Sequence, residues 1–353
     1  MTRRTSKSNL ALNTGPELRD RKAEHIQLAL DERMQLKSYF FDQYSFEHRA
    51  LPEIDYGEID LSTRFLGKRL SAPLLVSCMT GGTDEATRIN RNLAHAAELS
   101  GIAVGVGSQR KAIEDARHVE SFRIRPFAPT VPILANLGAV QLNYGFGLDE
   151  CRQAVDMIEA DALVLHLNAL QEAIQPEGQR NFARLLPKIG RVAERLPVPV
   201  IVKEIGCGLS ADVAKQLLER GVDIVDCAGL GGTTWARIEA ARARDVEIGE
   251  RFAHWGIPTP DAIQQLSELP GLTVIGSGGV RDGIDVAKAI ALGADLAGMA
   301  FQFLKAATES AERVALKIQR TIQELEISMF CVGCRTPADL PKARPVRHDP
   351  GRP

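Results

Sequence analysis

The sequence predicts an α/β protein, specifically a (β/α)₈ TIM barrel preceded by an N-terminal arm. From about residue 70 onward, short apolar or β-branched runs alternate with amphipathic or alanine-rich stretches, as expected of repeated βα units. Most of the eight runs are spaced by about thirty residues, the length of a strand, a crossover helix and two loops. The predicted strands lie within 72–77, 102–107, 132–138, 162–168, 198–206, 222–232, 272–279 and 296–303.

A doubly wound open sheet would show the same alternation, but the ends of the runs favour the barrel. Nearly every run ends in a polar or glycine-rich cluster, for example SCMTGG after the first run and GSGGVRDG after the seventh. In a barrel the carboxyl ends of all eight strands face one mouth, whereas an open sheet would spread these clusters along its edge. The sequence therefore predicts one site, at the mouth of the barrel.

The segments around the strands are assigned from periodicity and capping residues. One helix is predicted over 84–101 and another over 210–221, which Ser210 caps. An arm helix is predicted over 21–34, and residues 44–63 are expected to pair locally. The domain prediction is a flexible N-terminus (1–20), a helical arm and lead-in (21–70), the barrel (71–330) and a flexible C-terminal tail rich in proline and charge (331–353).

Composition argues against several classes of function. The 353 residues are 44% apolar, and 43 basic against 45 acidic residues give a net charge of −2, which does not suit binding of nucleic acid through bulk charge. The most apolar stretch, 286–304, contains Lys288 and Asp295, so no membrane span is expected. The polar N-terminus lacks the apolar core of a secretion signal, which predicts a cytoplasmic protein with six reduced cysteines.

The glycine-rich loops after the sixth, seventh and eighth runs predict a phosphate site. Glycine lets backbone N–H groups approach an anion, and such barrels often bind phosphate at the last two loops. Gly278 and Gly279 supply the backbone, Arg281 a charge-assisted contact, and Thr233 and Thr234 a second edge. Tight turns, and a surface salt bridge of Arg281, are the alternatives.

Two features predict a flat cofactor over the mouth. Lys203 ends an otherwise apolar run, where it faces either a cofactor atom such as the N1/O2 edge of a flavin or the carboxylate of Glu204. Met79 and Thr80 follow the first run, where their backbone would lie against a ring system. A buried methionine is, however, more often core filling.

Polar residues after the fourth run predict a place for a second, anionic ligand. His166 and Asn168 are expected on one face, and Gln171 and Glu172 begin the next loop. Glu172 offers a hard oxygen ligand for a Mg²⁺ that also touches a substrate phosphate, since Mg²⁺ needs only one or two carboxylates. The alternative is that Glu172 is simply solvated.

Basic groups elsewhere are expected to contact the same ligand. Ser108, Gln109 and Arg110 place a hydroxyl, an amide and a guanidinium in the loop after the second run. Arg21 and Lys22 in the arm are either solvated charge or a lid over an anionic ligand.

The sequence lacks the motifs of several other kinds of site. Cys331 and Cys334 form a lone CxxC pair with no second pair, so a zinc site is not expected. There is also no GxSxG elbow, Walker loop or GxGxxG fingerprint.

Eight segments in order resemble the type 2 isopentenyl-diphosphate isomerases, which are FMN-dependent (β/α)₈ barrels of isoprenoid synthesis. The resemblance covers residues 21 to about 305, and RKAEH together with HLNALQE is its most specific part. The segments are RKAEH, MTGGT, GSQR, HLNALQE, VKEIGCG, GLGGTTW, GSGGVRDG and GADLAGMA.

The resemblance implies site residues position by position. FMN contacts are implied at Cys78, Met79, Thr80, Ser108, Asn136, Lys203, Thr233, Gly278, Gly279, Arg281, Ala300 and Phe301. Contacts with the diphosphate and its hydrocarbon are implied at Arg21, Lys22, Ser108, Gln109, Arg110 and Gln171, and Mg²⁺ at Glu172. Gln171, Lys203 and His166 are the predicted catalytic residues. Cys78 and Phe301 depart from the family's usual residues, so there the backbone contacts transfer better than the side-chain contacts.

The resemblance also implies an activity and its partners. Isopentenyl diphosphate and dimethylallyl diphosphate would interconvert by a 1,3-proton shift that leaves the redox state unchanged. Reduced FMN would stabilise the tertiary cation as it forms, and NADPH would serve only to reduce FMN. The substrate would be a small diphosphate, and a homo-oligomer, either tetramer or octamer, is expected.

Three other functions stay open at this stage. An FMN-dependent 2-hydroxy-acid oxidoreductase would need a histidine base and a pair of arginines, for which His254 and Arg281 are the nearest candidates. An IMP dehydrogenase-like barrel would need a nucleophilic cysteine in the loop after the sixth strand. The segment GLGGTTW has none, although Cys227 lies just before it. A non-catalytic flavin-binding regulator should lack the polar set of Gln171, Glu172, Arg110 and Lys22, which this sequence contains.

Overall fold

Eight parallel strands close into a barrel in the computed structural model, which describes residues 17–36 and 40–348, with side chains from residue 21 onward. The barrel strands pair in chain order from β4 to β11, and β11 pairs back with β4. This confirms the (β/α)₈ prediction, and each barrel strand lies within one of the eight predicted runs. The strands are β1 (Tyr44–Ser45), β2 (Thr63–Phe65), β3 (Lys68–Leu70), β4 (Leu74–Val76), β5 (Ala103–Gly105), β6 (Ile133–Gly138), β7 (Ala162–His166), β8 (Val200–Lys203), β9 (Ile224–Asp226), β10 (Thr273–Ser277), β11 (Leu296–Met299) and β12 (Val346–Arg347).

The helices pack around the outside of the barrel. The α-helices are α1 (Glu17–Leu30), α2 (Asp84–Ser100), α3 (Arg110–Glu114), α4 (Leu148–Ile158), α5 (Ala169–Ile174), α6 (Leu185–Arg195), α7 (Ala211–Leu218), α8 (Trp235–Ala243), α9 (Val246–Phe252), α10 (Thr259–Ser267), α11 (Gly283–Ala291), α12 (Phe301–Glu309) and α13 (Ala311–Cys331). Within the described residues, no helix combines the length and the apolar character needed to cross a membrane.

Two hydrophobic cores follow from the alternation of side chains along the strands. Leu75, Leu134, Val164, Ile201 and Ile275 fill the barrel interior. Alternate strand residues face outward and pack against the buried faces of the helices. Because both faces of each strand are buried, the strands read as nearly continuous apolar runs, and this is why they could be recognised in the sequence.

Capping residues fix the helix boundaries close to the predicted ones. Thr83 caps α2 by accepting a hydrogen bond from the Ala86 N–H, and Gly101 ends it in the left-handed region with φ 63°. Ser210 caps α7 in the same way, through the Val213 N–H. The arm helix α1 begins at Glu17, ahead of the predicted residue 21, and a 3₁₀ turn over Glu32–Met34 follows it. Of the predicted flexible N-terminus, residues 1–16 lie outside the described residues.

The C-terminal segment corrects the sequence-based prediction of a flexible tail. Residues 331–348 pack against the barrel: Cys334 and Leu340 are buried, and β12 pairs antiparallel with β1. The sequence predicted that Tyr44 would pair locally, but its strand partner is Arg347, near the end of the described residues. The local hairpin in this region is formed by β2 and β3. The proline and charged residues of this segment suggested a flexible tail, but the 3₁₀ turn over Pro337–Ala343 contains both kinds of residue and still buries Leu340. Residues 349–353 lie outside the described part of the chain.

Candidate active site

A cavity of about 640 Å³ opens at the carboxyl ends of the barrel strands. Segments that follow different strands contribute to its wall, and α1 of the same chain lies over it. Of the residues predicted to form the site, those that line the cavity are Arg21, Lys22, Cys78, Met79, Thr80, Ser108, Arg110, Asn136, His166, Gln171, Glu172, Lys203, Thr233, Gly278, Gly279, Arg281, Ala300 and Phe301.

Two predicted site residues, Gln109 and Thr234, do not line the cavity, and Thr234 is buried beside Thr233. The side chain of Gln109 turns away from the cavity. Its side chain is fully buried, where Nε2 donates to Ala154 O (2.8 Å) and Oε1 accepts from the Asn136 N–H (2.9 Å). The side chain of Gln109 therefore does not reach the cavity in this structure, contrary to its expected position, and its contact with substrate stays an untested prediction. Helix α3 begins at the next residue, so the neighbouring side chains of Ser108 and Arg110 reach the cavity while that of Gln109 turns into the protein.

One end of the cavity is a cradle of backbone from two glycine-rich loops. A Cβ atom at Gly279 would lie 2.4 Å from the carbonyl oxygen of Gly231, and one at Gly278 would lie 2.2 Å from that of Gly229. Thr259 secures the loop, because its hydroxyl donates to Gly278 O (2.6 Å). Only glycine permits this approach of two backbones, which leaves room for an anion at their N–H groups.

Arg281 stands beside this cradle but is engaged with carboxylates. Its guanidinium forms ion pairs with Asp42 and with Asp285, the latter at 2.7 Å. Burial alone would lower the pKa of Arg281, but the hydrogen bonds to Asp285 and Asp42 raise it, so the side chain stays charged. The alternative of a salt bridge is therefore formed, and the contact of Arg281 with a phosphate stays a prediction.

Lys203 lies at the floor of the cavity at the end of β8, and its side chain is buried. Its Nζ donates to the backbone carbonyl of Glu204 (2.6 Å) rather than to the carboxylate. The Glu204 carboxylate instead accepts hydrogen bonds from three backbone N–H groups, those of Ile205, Gly206 and Cys207. The ion pair considered as the alternative is therefore not formed, and the positive charge of Lys203 faces the cavity.

His166 is a neutral side chain in the wall. Burial, together with the nearby charges of Lys203 and Lys22, lowers its pKa to about 3. The ring nitrogen Nδ1 lies 2.8 Å from Oδ1 of Asn136. Because that oxygen can only accept, Nδ1 carries the proton, and Nε2 is left as a hydrogen-bond acceptor.

Gln171 and Glu172 are each held by specific partners. Gln171 Nε2 donates to the fully buried carboxylate of Glu239 (2.7 Å), and the same oxygen of Glu239 lies 2.9 Å from His25 Nε2. Glu172 accepts from Asn168 Nδ2 (2.9 Å). The other amide atom of Asn168, Oδ1, is buried and has no hydrogen-bond partner. Among the described residues, no three histidine, cysteine or acidic side chains gather as a metal site.

Cations surround the outer part of the cavity. Arg21 and Lys22 from α1, together with Arg110 and Lys111 from α3, all line it. Lys22 Nζ donates to Ser108 O (2.8 Å), and burial together with the charges of Arg21 and Lys111 lowers its pKa to about 7. Helix α1 of the same chain thus covers part of the mouth, and this end of the cavity suits a small polyanion. The role of Arg21 and Lys22 as a lid over a ligand stays a prediction.

Sequence reasoning missed three residues at or beside the end of the cavity that the cations line: His25, Lys111 and Glu239. His25 belongs to the recognised segment RKAEH and lies one helical turn after Arg21, so the spacing alone would have placed it on the same face of α1. Lys111 follows the GSQR segment directly. Glu239 had no such signal, because its position depends on how α8 packs beside α5.

Known proteins similar to this chain agree on the family. The sequence matches the family described as FMN-dependent dehydrogenase over residues 152–346. It is 50% identical over 323 residues to a Nostoc sp. protein named isopentenyl-diphosphate delta-isomerase, covering 90% of this chain and 92% of that one. A Rickettsia canadensis protein of the same name is 50% identical over 330 residues, covering 92% of this chain and 96% of that one.

Solved structures support the fold alone. A lactate oxidase of Pediococcus acidilactici superposes with a TM-score of 0.68 at 18% identity, covering 94% of each chain. A soluble mutant of (S)-mandelate dehydrogenase from Pseudomonas putida gives 0.66 at 18% identity, covering 94% of this chain and 99% of that one. The much higher identity to the isomerases decides between these branches. The chain belongs to the FMN-dependent dehydrogenase family and, within it, to the isopentenyl-diphosphate delta-isomerases.

Proposed function

We propose that this protein interconverts isopentenyl diphosphate and dimethylallyl diphosphate with reduced FMN and Mg²⁺, NADPH serving to reduce the flavin. The observation that carries the proposal is the division of one cavity into a glycine cradle at one end and a cluster of cations at the other. Two separate phosphate-bearing molecules are thereby accommodated, with uncharged polar groups between them. The isomerase names of relatives at 50% identity support the same assignment.

The residues present fit FMN. The surroundings of Gly278 and Gly279 leave no room for a Cβ, and the buried hydroxyl of Ser77, which lines the cavity, has no hydrogen-bond partner. The phosphate would be held at the cradle, and the ring between Lys203 and the backbone of 78–80. Reduced FMN supplies an electron-rich ring that stabilises positive charge in the substrate. Lys203 favours the anionic form of that ring by its own charge.

The residues also fit a Mg²⁺ ion that is shared with the substrate. Glu172 offers a carboxylate in the cavity wall, and the unpartnered Oδ1 of Asn168 is a second hard oxygen close to it. A magnesium ion characteristically retains water and completes its shell with substrate phosphates. Glu172 would therefore hold the metal against the diphosphate rather than enclose it in a protein site.

The chain's own residues provide binding, orientation and exclusion of water. Arg21, Lys22 and Arg110 bind the diphosphate, and α1 covers the cavity. The reaction moves one proton, removed from one carbon and added two carbons away, with no net change in electrons. In this proposal the neutral imidazole of His166 and the amide of Gln171, which donates to Glu239, orient the hydrocarbon, and Nε2 of His166 is the atom that accepts a proton.

The two rival enzyme classes fit the cavity less well. A 2-hydroxy-acid oxidoreductase needs a histidine beside arginine, but His254 is exposed and does not line the cavity, and Arg281 is engaged by Asp42 and Asp285. An IMP dehydrogenase-like reaction needs a thiolate. Cys227 is fully buried outside the lining, and burial raises its pKa to about 12.

An anaerobic assay with FMN, Mg²⁺ and NADPH tests the proposal. We expect allylic diphosphate to accumulate while NADPH consumption stops once FMN is reduced, because the isomerisation changes no redox state. Oxidation of lactate or mandelate without allylic product would support the oxidoreductase instead. FMN binding with neither activity would indicate the regulator. A cytoplasmic location and a tetramer or octamer stay predictions, to be tested by fractionation and by light scattering.

A further inference from the structure

Arg242 lies outside the cavity lining, yet it contacts three elements around the substrate end. Its side chain is 11% exposed on α8. Three carboxylates surround it: Glu24 of α1 (3.1 Å), Glu177 of the loop after α5 (2.8 Å) and Glu239 of α8 itself (2.6 Å). Burial alone would lower the pKa of Arg242, but these partners raise it, so the guanidinium stays charged.

The contact with Glu24 joins Arg242 to the arm. Glu24 is half exposed and does not line the cavity, so its ion pair with Arg242 connects the outer face of α1 to the barrel. The inner face of the same helix carries Arg21, Lys22 and His25 into the cavity. An interaction that fixes the orientation of α1 therefore fixes where these three side chains point.

The contact with Glu239 joins Arg242 to the catalytic residues. Glu239 is fully buried and also contacts Gln171 and His25. A buried carboxylate that loses its compensating cation is strongly destabilised, and it either gains a proton or rearranges. Either response would alter the hydrogen bond by which Glu239 orients Gln171.

We propose that Arg242 is a positioning residue that clasps the arm onto the barrel, through Glu24, Glu177 and Glu239, in the arrangement that binds the diphosphate. The role in substrate binding rests on the proposed function. The clasp itself is a property of the fold, and it can be measured without any turnover.

Hydrogen exchange of the FMN-loaded protein measures the clasp directly. Arg242→Met is expected to increase the exchange rate of the α1 amides over 21–30 by tenfold or more, while the amides of β7 and β8 keep the parent rate. Arg251→Met is the matched control, because Arg251 forms an exposed ion pair with Glu247 on α9. Unchanged exchange of α1 in Arg242→Met would overturn the proposal.

Binding of inorganic diphosphate, followed by calorimetry, tests the consequence for the site. Glu24→Gln is expected to raise its Kd by about two- to fivefold, the range for a half-exposed pair, with FMN affinity unchanged. Arg242→Lys, which retains the charge but not the three-way contact, should raise the Kd by about tenfold and still fold. In the double variant, Glu24→Gln should add little, because its partner is already altered.

Two results separate the possible failures. Additive effects of Glu24→Gln and Arg242→Lys on diphosphate binding would contradict the clasp, whatever reaction the protein catalyses. If the parent protein isomerises no substrate but the exchange and binding results hold, the clasp stands and the proposed function fails. With an active parent, KM is expected to rise in Arg242→Lys considerably more than kcat falls, whereas general loss of folded protein would lower kcat alone.

Discussion

At the scale of single residues, the end of the cavity lined by cations combines positive charge with partial burial. Lys22 is partly buried, packs over the ring of Phe122 at 5.4 Å and lies near Arg21 and Lys111. Burial and the two neighbouring positive charges lower its pKa and outweigh the ring face, which favours the charged form. A cation with a pKa near 7 binds an anion strongly only while it is protonated, so pH acts on this position directly.

The first prediction concerns the pH dependence of binding. Above about pH 7 the free protein loses the Lys22 proton, while a bound diphosphate favours the protonated form. Kd should therefore rise with pH between 7 and 9, toward a limit of about tenfold per pH unit. In Lys22→Arg the charge is permanent, and the profile should be flatter. Parallel profiles of the parent and variant in a calorimetric titration would contradict this role.

The second prediction concerns the metal. Glu172→Gln should raise the Mg²⁺ concentration needed for half-maximal activity by about tenfold or more, because a neutral amide is a poorer ligand for a hard cation. FMN content should stay at the parent level, since Glu172 lies at the substrate end. A variant with the parent's Mg²⁺ dependence would leave Glu172 only the structural role of binding Asn168 and the Gln179 N–H.

At the scale of elements, the glycine cradle of the cavity depends on two loops that follow neighbouring strands. Gly229 and Gly231 follow β9, and Gly278 and Gly279 follow β10. Each loop on its own is an ordinary turn. Their approach produces the cradle, and the sequence could indicate it because the glycines are dense and follow predicted adjacent strands.

The third prediction tests this approach. Gly279→Ala would press a Cβ against Gly231 O, which is backbone and cannot move aside cheaply. Overpacking of about 1–3 kcal/mol corresponds to a rise of about five- to 150-fold in the Kd for FMN if the loop shifts. Gly271→Ala is the control, since Gly271 has a similar φ of 81° and no atom within 4 Å. It should lower stability without changing flavin affinity, and equal effects of both variants on FMN binding would rule out the steric explanation.

The same element scale explains what the sequence could and could not predict about the site. Strand-end residues such as His166 and Lys203 were assigned correctly to the cavity, because in a parallel barrel their position along the strand determines the end at which they lie. The direction of Gln109 depends on where α3 begins, which its neighbours in sequence do not reveal. The position of Glu239 depends on packing between α5 and α8, and no local pattern encodes that contact.

At the scale of the whole molecule, the two terminal segments meet beside the barrel. Pairing of β1 with β12 is reinforced by Arg347, which binds Asp261 (3.0 Å), and Asp42, just before β1, binds Arg281 at the cradle. The sequence predicted neither contact, because the partners are too distant along the chain for any local pattern to indicate them. The barrel itself could be predicted because each βα unit is local.

The fourth prediction concerns this terminal pairing. Truncation after Ala343 removes β12 and should lower the free energy of unfolding by about 1–2 kcal/mol, in the usual range for loss of a few partly buried contacts. Truncation after His348 retains β12 and serves as the control. Thermal unfolding of both proteins with bound FMN measures the difference, and equal midpoints would show that the pairing contributes nothing to stability.

The pairing of terminal segments also bears on how the protein is made. Ser45 and His348, which are hydrogen-bonded beside this pair of strands, are 303 residues apart. At synthesis rates of about 5–20 residues per second, the early segment waits on the order of 15–60 s for its partner to leave the ribosome. During that interval β1 is an unpaired strand beside a barrel that is itself open until β11 has been made. These two edges of the nascent chain, which the finished fold conceals, therefore stay exposed to pairing with other chains until synthesis is nearly complete.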